Sequence, residues 1–218
     1  YVYKRQALRD ALQGTVEGKD QWGLERFLCA HAIMLGLEGV PAFYIHSLLG
    51  TRNNLQRLAH TSHNRSINRH QWELSQLSAA LDDTTSDHHA VFDSLKRLIF
   101  LRKGQRAFHP NATQLTLHLG DHLLGFWRQS LDRRQSLFCI HNLSAMEQTL
   151  PLSQLNLVLN CSWRDLISGE PERRHDPTVS MRLSLSLKCM RFALSHYDSL
   201  ELTPTLHQVT SHCSHHGT

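Results

Sequence analysis

The sequence has few cysteines, and no two of them are closely spaced. Its 218 residues include five cysteines, at Cys29, Cys139, Cys161, Cys189 and Cys213. An odd number of dispersed cysteines is typical of a reducing compartment and argues against a disulfide-linked secreted protein. The N-terminal region also lacks the apolar core of a signal peptide, so we expect a cytoplasmic location.

Long apolar runs are missing as well. The longest one near the N-terminus, Phe27–Leu37, is interrupted by His31 and is too short to span a bilayer. The sequence therefore predicts a soluble protein without a membrane partner. The first residue is Tyr1 rather than methionine, and we interpret the chain as a piece of a longer protein.

Blocks of like charge are absent, although the net charge is +4. Four arginines between residues 52 and 69 could form a basic patch, but no aromatic residues that stack on bases are interleaved with them. The spacings of helix–turn–helix and zinc-finger motifs are missing too. We therefore expect no nucleic-acid partner.

The first half of the chain has the pattern of an α/β unit. Apolar positions predict a buried helix over Trp22–Leu37, followed at once by an apolar strand over Val40–Ile45. A helix that leads directly into such a strand is typical of a parallel sheet. A long polar loop follows over residues 50–70, and then two helices over Gln71–Leu81 and Asp87–Arg102.

After Gly104 the apolar period changes from 3.6 to 2, as in "TQLTLHLG" and "QSLFCIHNLS". This alternation predicts antiparallel hairpins. The predicted fold class is therefore α/β plus all-β, with an α/β part over residues 1–103, a β domain over 104–202 and a disordered tail over 203–218.

The tail contains several possible metal ligands, namely His207, His212, Cys213, His215 and His216. Histidine and cysteine at short spacing suit zinc. However, no apolar residue anchors the segment and nothing fixes its geometry. We therefore expect no metal site.

Polar residues gather where the predicted strand ends. His46, Arg52 and Asn53 follow it directly, and Arg65 and Arg69 lie further along the same loop. Loops at the carboxyl ends of parallel strands build active sites, and arginine forks bind carboxylates, phosphates or sugar hydroxyls. Loop arginines are nevertheless most often solvated or weakly paired. The pattern alone indicates the active-site face of an α/β fold and nothing finer.

Four segments resemble one known family. "DALQGTVEGKDQWGLERFLCAHAIMLGLEGVPAFYIHSLLGTRNN" (Asp10–Asn54) resembles the late barrel segment of glycoside hydrolase family 13, the α-amylase family, and in particular its sucrose phosphorylase branch. "NRSINRH" (Asn64–His70) resembles the R-x-I-N-R element of that branch. "LIFLRKGQRAFHP" (Leu98–Pro110) is similar to the last barrel helix, and "SLFCIHNLS" (Ser136–Ser144) to a strand of the C-terminal β domain. The resemblance covers roughly residues 10–170.

The resemblance implies the C-terminal part of a (β/α)8 barrel followed by an antiparallel β-sandwich. It implies a retaining α-glucoside phosphorylase, which transfers a glucosyl unit to inorganic phosphate and yields glucose 1-phosphate, without a cofactor or metal ion. The partners would be phosphate and an α-glucoside such as sucrose or glucosylglycerate. By the same resemblance, Arg69 would hold a hydroxyl of the glucosyl unit, and His46, Arg52 and Asn53 would shape the adjacent loop.

The chain also departs from the family pattern. The catalytic aspartate, the glutamate acid/base and the third carboxylate of this family lie on barrel strands four, five and seven, which would precede residue 1. We therefore assign no catalytic residue to this chain. The opening "YVYKRQ" does not match, and the match fades after about residue 172.

Two alternatives remain open at this point. One is an amylase-type hydrolase or transglucosylase, in which water or another sugar is the acceptor. The other is a non-catalytic carbohydrate-binding module built on the β domain, although Phe126 and Trp127 are adjacent rather than spread along one face. Sequence upstream of residue 1 would discriminate between them, because only an enzyme needs the three barrel carboxylates.

We expect no catalytic turnover from this chain alone, because retaining glycoside chemistry needs two facing carboxylates and the sequence places no such pair. The measurement is phosphate-dependent release of glucose 1-phosphate from sucrose or glucosylglycerate. Any release above a protein-free blank would contradict this expectation.

Overall fold

The computed structural model of the chain describes residues 5–151, 155, 163–169, 171–172, 180–183 and 194–196. The tail predicted over 203–218, with its histidines and cysteine, lies outside the described residues. Within them, no helix has the length and apolar character needed to cross a membrane.

The α-helices of the described residues all precede the main sheet. The α-helices are α1 (Leu8–Ala11), α2 (Gly23–Gly36), α3 (Ile45–Leu48), α4 (Leu55–Thr61), α5 (Leu74–Asp82) and α6 (Asp87–Lys103). Two short 3-10 helices cover Asn64–Asn68 and Arg106–Phe108.

Every strand pair in the described residues is antiparallel. The strands are β1 (Gly14–Thr15), β2 (Gly18–Lys19), β3 (Thr113–Leu117), β4 (Leu123–Gln129), β5 (Gln135–Asn142), β6 (Gln148–Pro151), β7 (Trp163–Arg164), β8 (Pro171–Glu172), β9 (Ser180–Leu183) and β10 (Leu194–His196). A four-stranded sheet has the order β10-β5-β4-β3, and the other pairs are β1–β2, β6–β9 and β7–β8. The period-2 alternation after Gly104 predicts this antiparallel region.

Helices α2 and α6 form where their apolar periodicity predicts them. The hydroxyl of Ser86 caps α6 by accepting a hydrogen bond from the backbone N–H of His89, at 2.9 Å. Gly104 follows the last residue of that helix. These two long helices pack against each other and form the helical layer of the structure.

The strand predicted over Val40–Ile45 is wrong. Residues 40–44 are not paired to any described strand, and Ile45 begins the short helix α3. Val40 is 81% exposed and Tyr44 is 49% exposed. A strand exists only through hydrogen bonds to a neighbour, and the described residues supply none for this segment.

The polar stretch over 50–70 is not a plain loop. It contains α4, whose first turn is capped by Asn54, and the 3-10 helix Asn64–Asn68. The side-chain oxygen of Asn54 accepts a hydrogen bond from the backbone N–H of Arg57 at 2.7 Å. Ile67 is buried and anchors the stretch to the rest of the structure.

The apolar core has α2 as its shared layer. Phe27 and Leu28 of α2 pack with Val91 and Leu95 of α6, and all four are buried. Further along α2, Ala32 packs against the sheet. The side chains of β4 and β5 on that face are Phe126, Leu137 and Cys139. A separate cluster on strands β4, β5 and β6 contains Leu123, Phe138, Ile140 and Leu150, with Leu155 beside them.

Arg128 of β4 is fully buried and connects the sheet to the end of α2. Its guanidinium donates hydrogen bonds to the carbonyl oxygens of Gly36 and His109, both at 3.0 Å. Burial lowers the pKa of Arg128 from its ordinary value. A buried cation is tolerated here because the last carbonyls of a helix have no partner within the helix.

Arg102 of α6 reaches the same end of α2 from the helical layer. It donates to the carbonyl oxygens of Leu35, Gly39 at 3.0 Å and Phe108 at 3.1 Å. Burial, followed by the charge of Arg128, lowers the pKa of Arg102. The end of α2 is therefore held by two arginines that come from different elements.

His141 of β5 is a buried polar group of a different kind. It is 0% exposed, and in the described part of the chain neither of its ring nitrogens has a hydrogen-bond partner. Its ring lies 5.7 Å from that of Phe126. Burial lowers the pKa of His141 to about 3, so the imidazole is neutral in the folded chain near neutral pH.

The close contact between α2 and the sheet predicts that Gly36→Ala lowers the free energy of unfolding. The new Cβ would lie 2.6 Å from Cζ of the buried Phe126 ring. We expect destabilisation of about 1–3 kcal/mol, because the ring has little room to shift. Urea denaturation followed by circular dichroism measures the change.

The matched control is Gly104→Ala. Gly104 has φ −79° and ψ −5°, and the nearest atom to its new Cβ is the carbonyl oxygen of Leu101 at 3.5 Å. We expect no loss of stability, or a gain of up to about 1 kcal/mol. Equal losses for the two variants would contradict the packing described here.

Candidate functional site

A cleft of about 380 Å³ opens beside the loop that joins α3 and α4. The start of α6 and the segment before α5 form its other walls. Its lining residues are polar or aromatic in all positions but one: Thr51, Arg52, Asn53, Asn54, Leu55, Gln56, His70, Trp72 and His88. Because Arg52 and Asn53 are residues that the sequence nominates for substrate binding, this cleft is the candidate site.

Trp72 stands between two imidazole rings in the cleft. Its ring centroid lies 4.7 Å from that of His70 and 5.0 Å from that of His88, with interplanar angles of 79° and 89°. The indole N–H donates to Oγ1 of Thr51 at 3.0 Å, and Thr51 is 3% exposed. A buried hydroxyl therefore fixes the orientation of the indole.

His46 lies behind this hydroxyl and does not line the cleft. Its Nδ1 is 3.3 Å from Oγ1 of Thr51, and its ring packs at 5.2 Å, edge to face, with Tyr44. Burial is the main cause that lowers the pKa of His46, and the nearby charge of His70 lowers it further. In this structure His46 supports Thr51, which in turn orients Trp72.

Arg52 and Asn53 are brought together, and both are held by the protein itself. Arg52 forms ion pairs with Asp10 at 3.2 Å and with Asp87 at 2.5 Å. The backbone N–H of Asn53 donates to the carboxylate of Asp10 at 2.5 Å, and its side-chain oxygen accepts from the backbone N–H of Ala7 at 2.7 Å. These contacts fasten the cleft loop to α1.

Asp87 joins this network to a second arginine. Arg9, which is 4% exposed, binds both carboxylate oxygens of Asp87 at 2.9 and 3.2 Å. Burial by itself would raise the pKa of Asp87 and is the largest single influence. The hydrogen bonds and charges of Arg9 and Arg52 together outweigh it and lower the pKa of that carboxyl below its ordinary value. The charge of Arg52 is therefore compensated within the chain.

Arg69 is placed differently from the other nominated residues. It is exposed, follows the 3-10 helix Asn64–Asn68, and does not line the cleft. Among the described residues its guanidinium has no hydrogen-bond or ion-pair partner. The segment before it is fixed by the hydroxyl of Tyr44, which donates to the carbonyl oxygen of Asn68 at 3.0 Å.

Sequence reasoning missed three residues of the cleft. It included Trp72 in the helix predicted over Gln71–Leu81, yet α5 begins only at Leu74. It noted His70 only as part of a motif, and His88 only as part of a helix. No local signal marks His88, because its contact with Trp72 joins segments that are distant in the sequence. In the part of the chain that the structure describes, no three histidine, cysteine or acidic residues are grouped so as to hold a metal ion.

No protein-family model matches the chain. Two curated relatives are glucosylglycerate phosphorylases. The protein from Escherichia coli is 41% identical over 95 residues, which are 44% of this chain and 17% of the relative. The protein from Spirochaeta thermophila is 33% identical over 123 residues, which are 56% of this chain and 21% of the relative. The predicted resemblance to the α-amylase family is confirmed. The chain spans about a fifth of the length of these phosphorylases.

Solved structures of the α-amylase family have the same fold over most of this chain. An Anoxybacillus α-amylase aligns with a TM-score of 0.58 at 15% identity, over 82% of this chain and 34% of its own. The sucrose 6F-phosphate phosphorylase from Thermoanaerobacter thermosaccharolyticum aligns with a TM-score of 0.50 at 20% identity, over 72% of this chain and 26% of its own. At these identities the likeness concerns the fold alone.

The ion network around the cleft predicts a pH-dependent effect of Asp87→Asn. The substitution leaves the buried Arg9 without its carboxylate, and we expect a loss of roughly 1–2 kcal/mol near neutral pH, given the partial exposure of Asp87. Because the pKa of Asp87 is lowered in the folded chain, its contribution is present above the ordinary value of 3.8 and is lost as the pH falls through the folded value. The difference in Tm between the two proteins should therefore shrink as the pH is lowered from about 6 to about 3.

The control for this comparison is Asp82→Asn. Asp82 is exposed and forms no ion pair among the described residues, so we expect its Tm to follow that of the unmodified chain. A difference in Tm for Asp87→Asn that stays constant over the same pH range would contradict the proposal that the ionised carboxylate of Asp87 stabilises the fold through Arg9 and Arg52.

Proposed function

We propose that this chain is part of a retaining α-glucoside phosphorylase that acts on glucosylglycerate. The observation that carries the proposal is the 41% identity to the glucosylglycerate phosphorylase of Escherichia coli. In the proposed reaction, a catalytic carboxylate attacks C1 of the glucosyl unit, and glycerate leaves with a proton from the acid/base residue. Phosphate then attacks C1 and displaces that carboxylate, which gives glucose 1-phosphate. We propose that the catalytic carboxylates belong to the remainder of the barrel and that no cofactor or metal ion takes part.

The proposed architecture is a (β/α)8 barrel whose last part lies in residues 1–103, followed by a β-sandwich domain over 104–202. The segment 40–44 supports the barrel, because no described strand pairs with it, Val40 is largely exposed and Tyr44 is half exposed. Adjacent barrel strands would satisfy that backbone and cover those side chains. A cytoplasmic location is part of the same proposal.

We propose different roles for Arg69 and Arg52, because only the charge of Arg52 is compensated within the described residues. Arg52 already binds two carboxylates, so it shapes the loop together with Asn53. Arg69 has no partner in the described residues, and a free guanidinium offers five N–H donors in a planar fork. We therefore assign to Arg69 the contact with an oxygen of the substrate, and to His46 the support of the cleft.

The test is a chimera in which this chain replaces the aligned segment of the Escherichia coli phosphorylase. We expect it to release glucose 1-phosphate from glucosylglycerate and phosphate. Arg69→Ala in the chimera should lower kcat/KM about 10- to 100-fold, because hydrogen bonds from a charged donor are lost. Arg97→Ala, an exposed arginine of α6, is the matched control and should leave kcat/KM unchanged.

The products of the chimera discriminate between the enzyme classes. Release of glucose without glucose 1-phosphate would favour the amylase-type hydrolase. A chimera that melts cooperatively and releases neither product would contradict the proposed function.

A further inference from the structure

Two histidines of the cleft each use one ring nitrogen within the protein and leave the other free. They are His70 and His88, which flank Trp72. The free atoms are the Nε2 atoms, which have no hydrogen-bond partner in the described residues. Neither of them belongs to the fully buried side-chain atoms that lack a partner. Whether each Nε2 donates or accepts a hydrogen bond follows from the partner of Nδ1.

Asn54 determines which ring nitrogen of His70 carries the proton. The side-chain oxygen of Asn54 accepts from the backbone N–H of Arg57, so its amide nitrogen is the atom that faces His70. That nitrogen lies 2.8 Å from Nδ1 of His70. An amide nitrogen can only donate, so Nδ1 accepts and the proton of the neutral ring is on Nε2. His70 therefore presents a donor.

The opposite assignment follows for His88. Its Nδ1 lies 2.8 Å from the carbonyl oxygen of Leu49. A carbonyl oxygen can only accept, so Nδ1 carries the proton and Nε2 of the neutral ring has a lone pair. His88 therefore presents an acceptor on the other side of Trp72.

A donor and an acceptor on either side of an indole suit a neutral hydroxylated ligand. A hydroxyl group can both accept from His70 and donate to His88, whereas a carboxylate or phosphate oxygen would meet the lone pair of His88. The arginine of the cleft does not compensate for this, because Arg52 is bound to Asp10 and Asp87. Arg69, outside the cleft, is thus better suited to bind an anion than the cleft is.

We propose that this cleft is a carbohydrate subsite in which two hydroxyls of one sugar ring bind His70 and His88, with Trp72 between them. The proposal rests on the proposed function for the identity of the sugar as a glucosyl unit. In it, His70 donates to one hydroxyl, His88 accepts from another, and the anionic part of the substrate lies elsewhere.

The test uses the full 218-residue chain with α-methyl glucoside as a neutral probe. Titration is followed by the ¹⁵N resonances of the imidazoles and by tryptophan fluorescence. We expect Nε2-protonated His70 and Nδ1-protonated His88 in the free chain, saturable shifts of both rings on titration, and a fluorescence change that Trp72→Phe removes. Inorganic phosphate should leave both imidazoles unshifted.

Asparagine variants separate binding from structure. In His70→Asn the new oxygen can still accept from Asn54, and in His88→Asn the new amide can still donate to Leu49, while the Nε2 atom is lost in each. We expect each variant to keep the Tm of the parent chain and to bind the probe about 3- to 10-fold more weakly, as for one lost hydrogen bond. His60→Asn, at an exposed position of α4, should bind like the parent chain.

Three results would overturn the subsite. They are an Nδ1-protonated His70, no saturable shift with α-methyl glucoside, or unchanged binding in both asparagine variants. These outcomes do not depend on phosphorolysis. An inactive chimera combined with binding that depends on His70 and His88 would retain the subsite and reject the phosphorylase, whereas an active chimera with unchanged binding in the variants would do the reverse.

Discussion

The carboxyl end of α2 is where the helical layer and the sheet are joined. Arg102 approaches it from α6 and Arg128 from β4, and both donate to carbonyl oxygens at or just beyond the last turn of α2. Removing a guanidinium from water costs several kcal/mol unless its donors find acceptors. The unpaired carbonyls of a helix terminus are such acceptors, so each group satisfies a requirement of the other.

The cleft depends on this junction through the chain that leaves it. Gly39 follows α2 with a φ of +86°, a conformation that favours glycine, and its carbonyl is bound by Arg102. The chain then runs through residues 40–44, which pair with no described strand, and through α3 to Thr51, where the network of Arg52, Asp10 and Asp87 holds it again. The loop is therefore fixed at both ends, and the cleft lies on a supported part of the surface.

Local sequence patterns predicted the helices and strands whose buried faces repeat regularly along the chain. They failed for structure that depends on contacts between residues distant in the sequence. The apolar stripe of α6 and the alternation around Phe138 are visible in short windows. Val40 to Tyr44 has the composition of a strand, but pairing depends on neighbours that a window does not contain. Likewise, no pattern shows that Arg52 meets Asp10 and Asp87, which are 42 and 35 residues away in the sequence. Arg69 was identified as a candidate substrate-binding residue by the resemblance to a family, and periodicity alone could not have identified it.

The buried imidazole of His141 couples folding to protons. In the folded chain it resists protonation down to about pH 3, whereas in an unfolded chain an ordinary imidazole takes up a proton near pH 6.5. Unfolding below that pH therefore consumes a proton, and acid favours the unfolded chain over the whole interval between the two values. Through this one buried ring, the proton concentration of the surroundings enters the folding equilibrium.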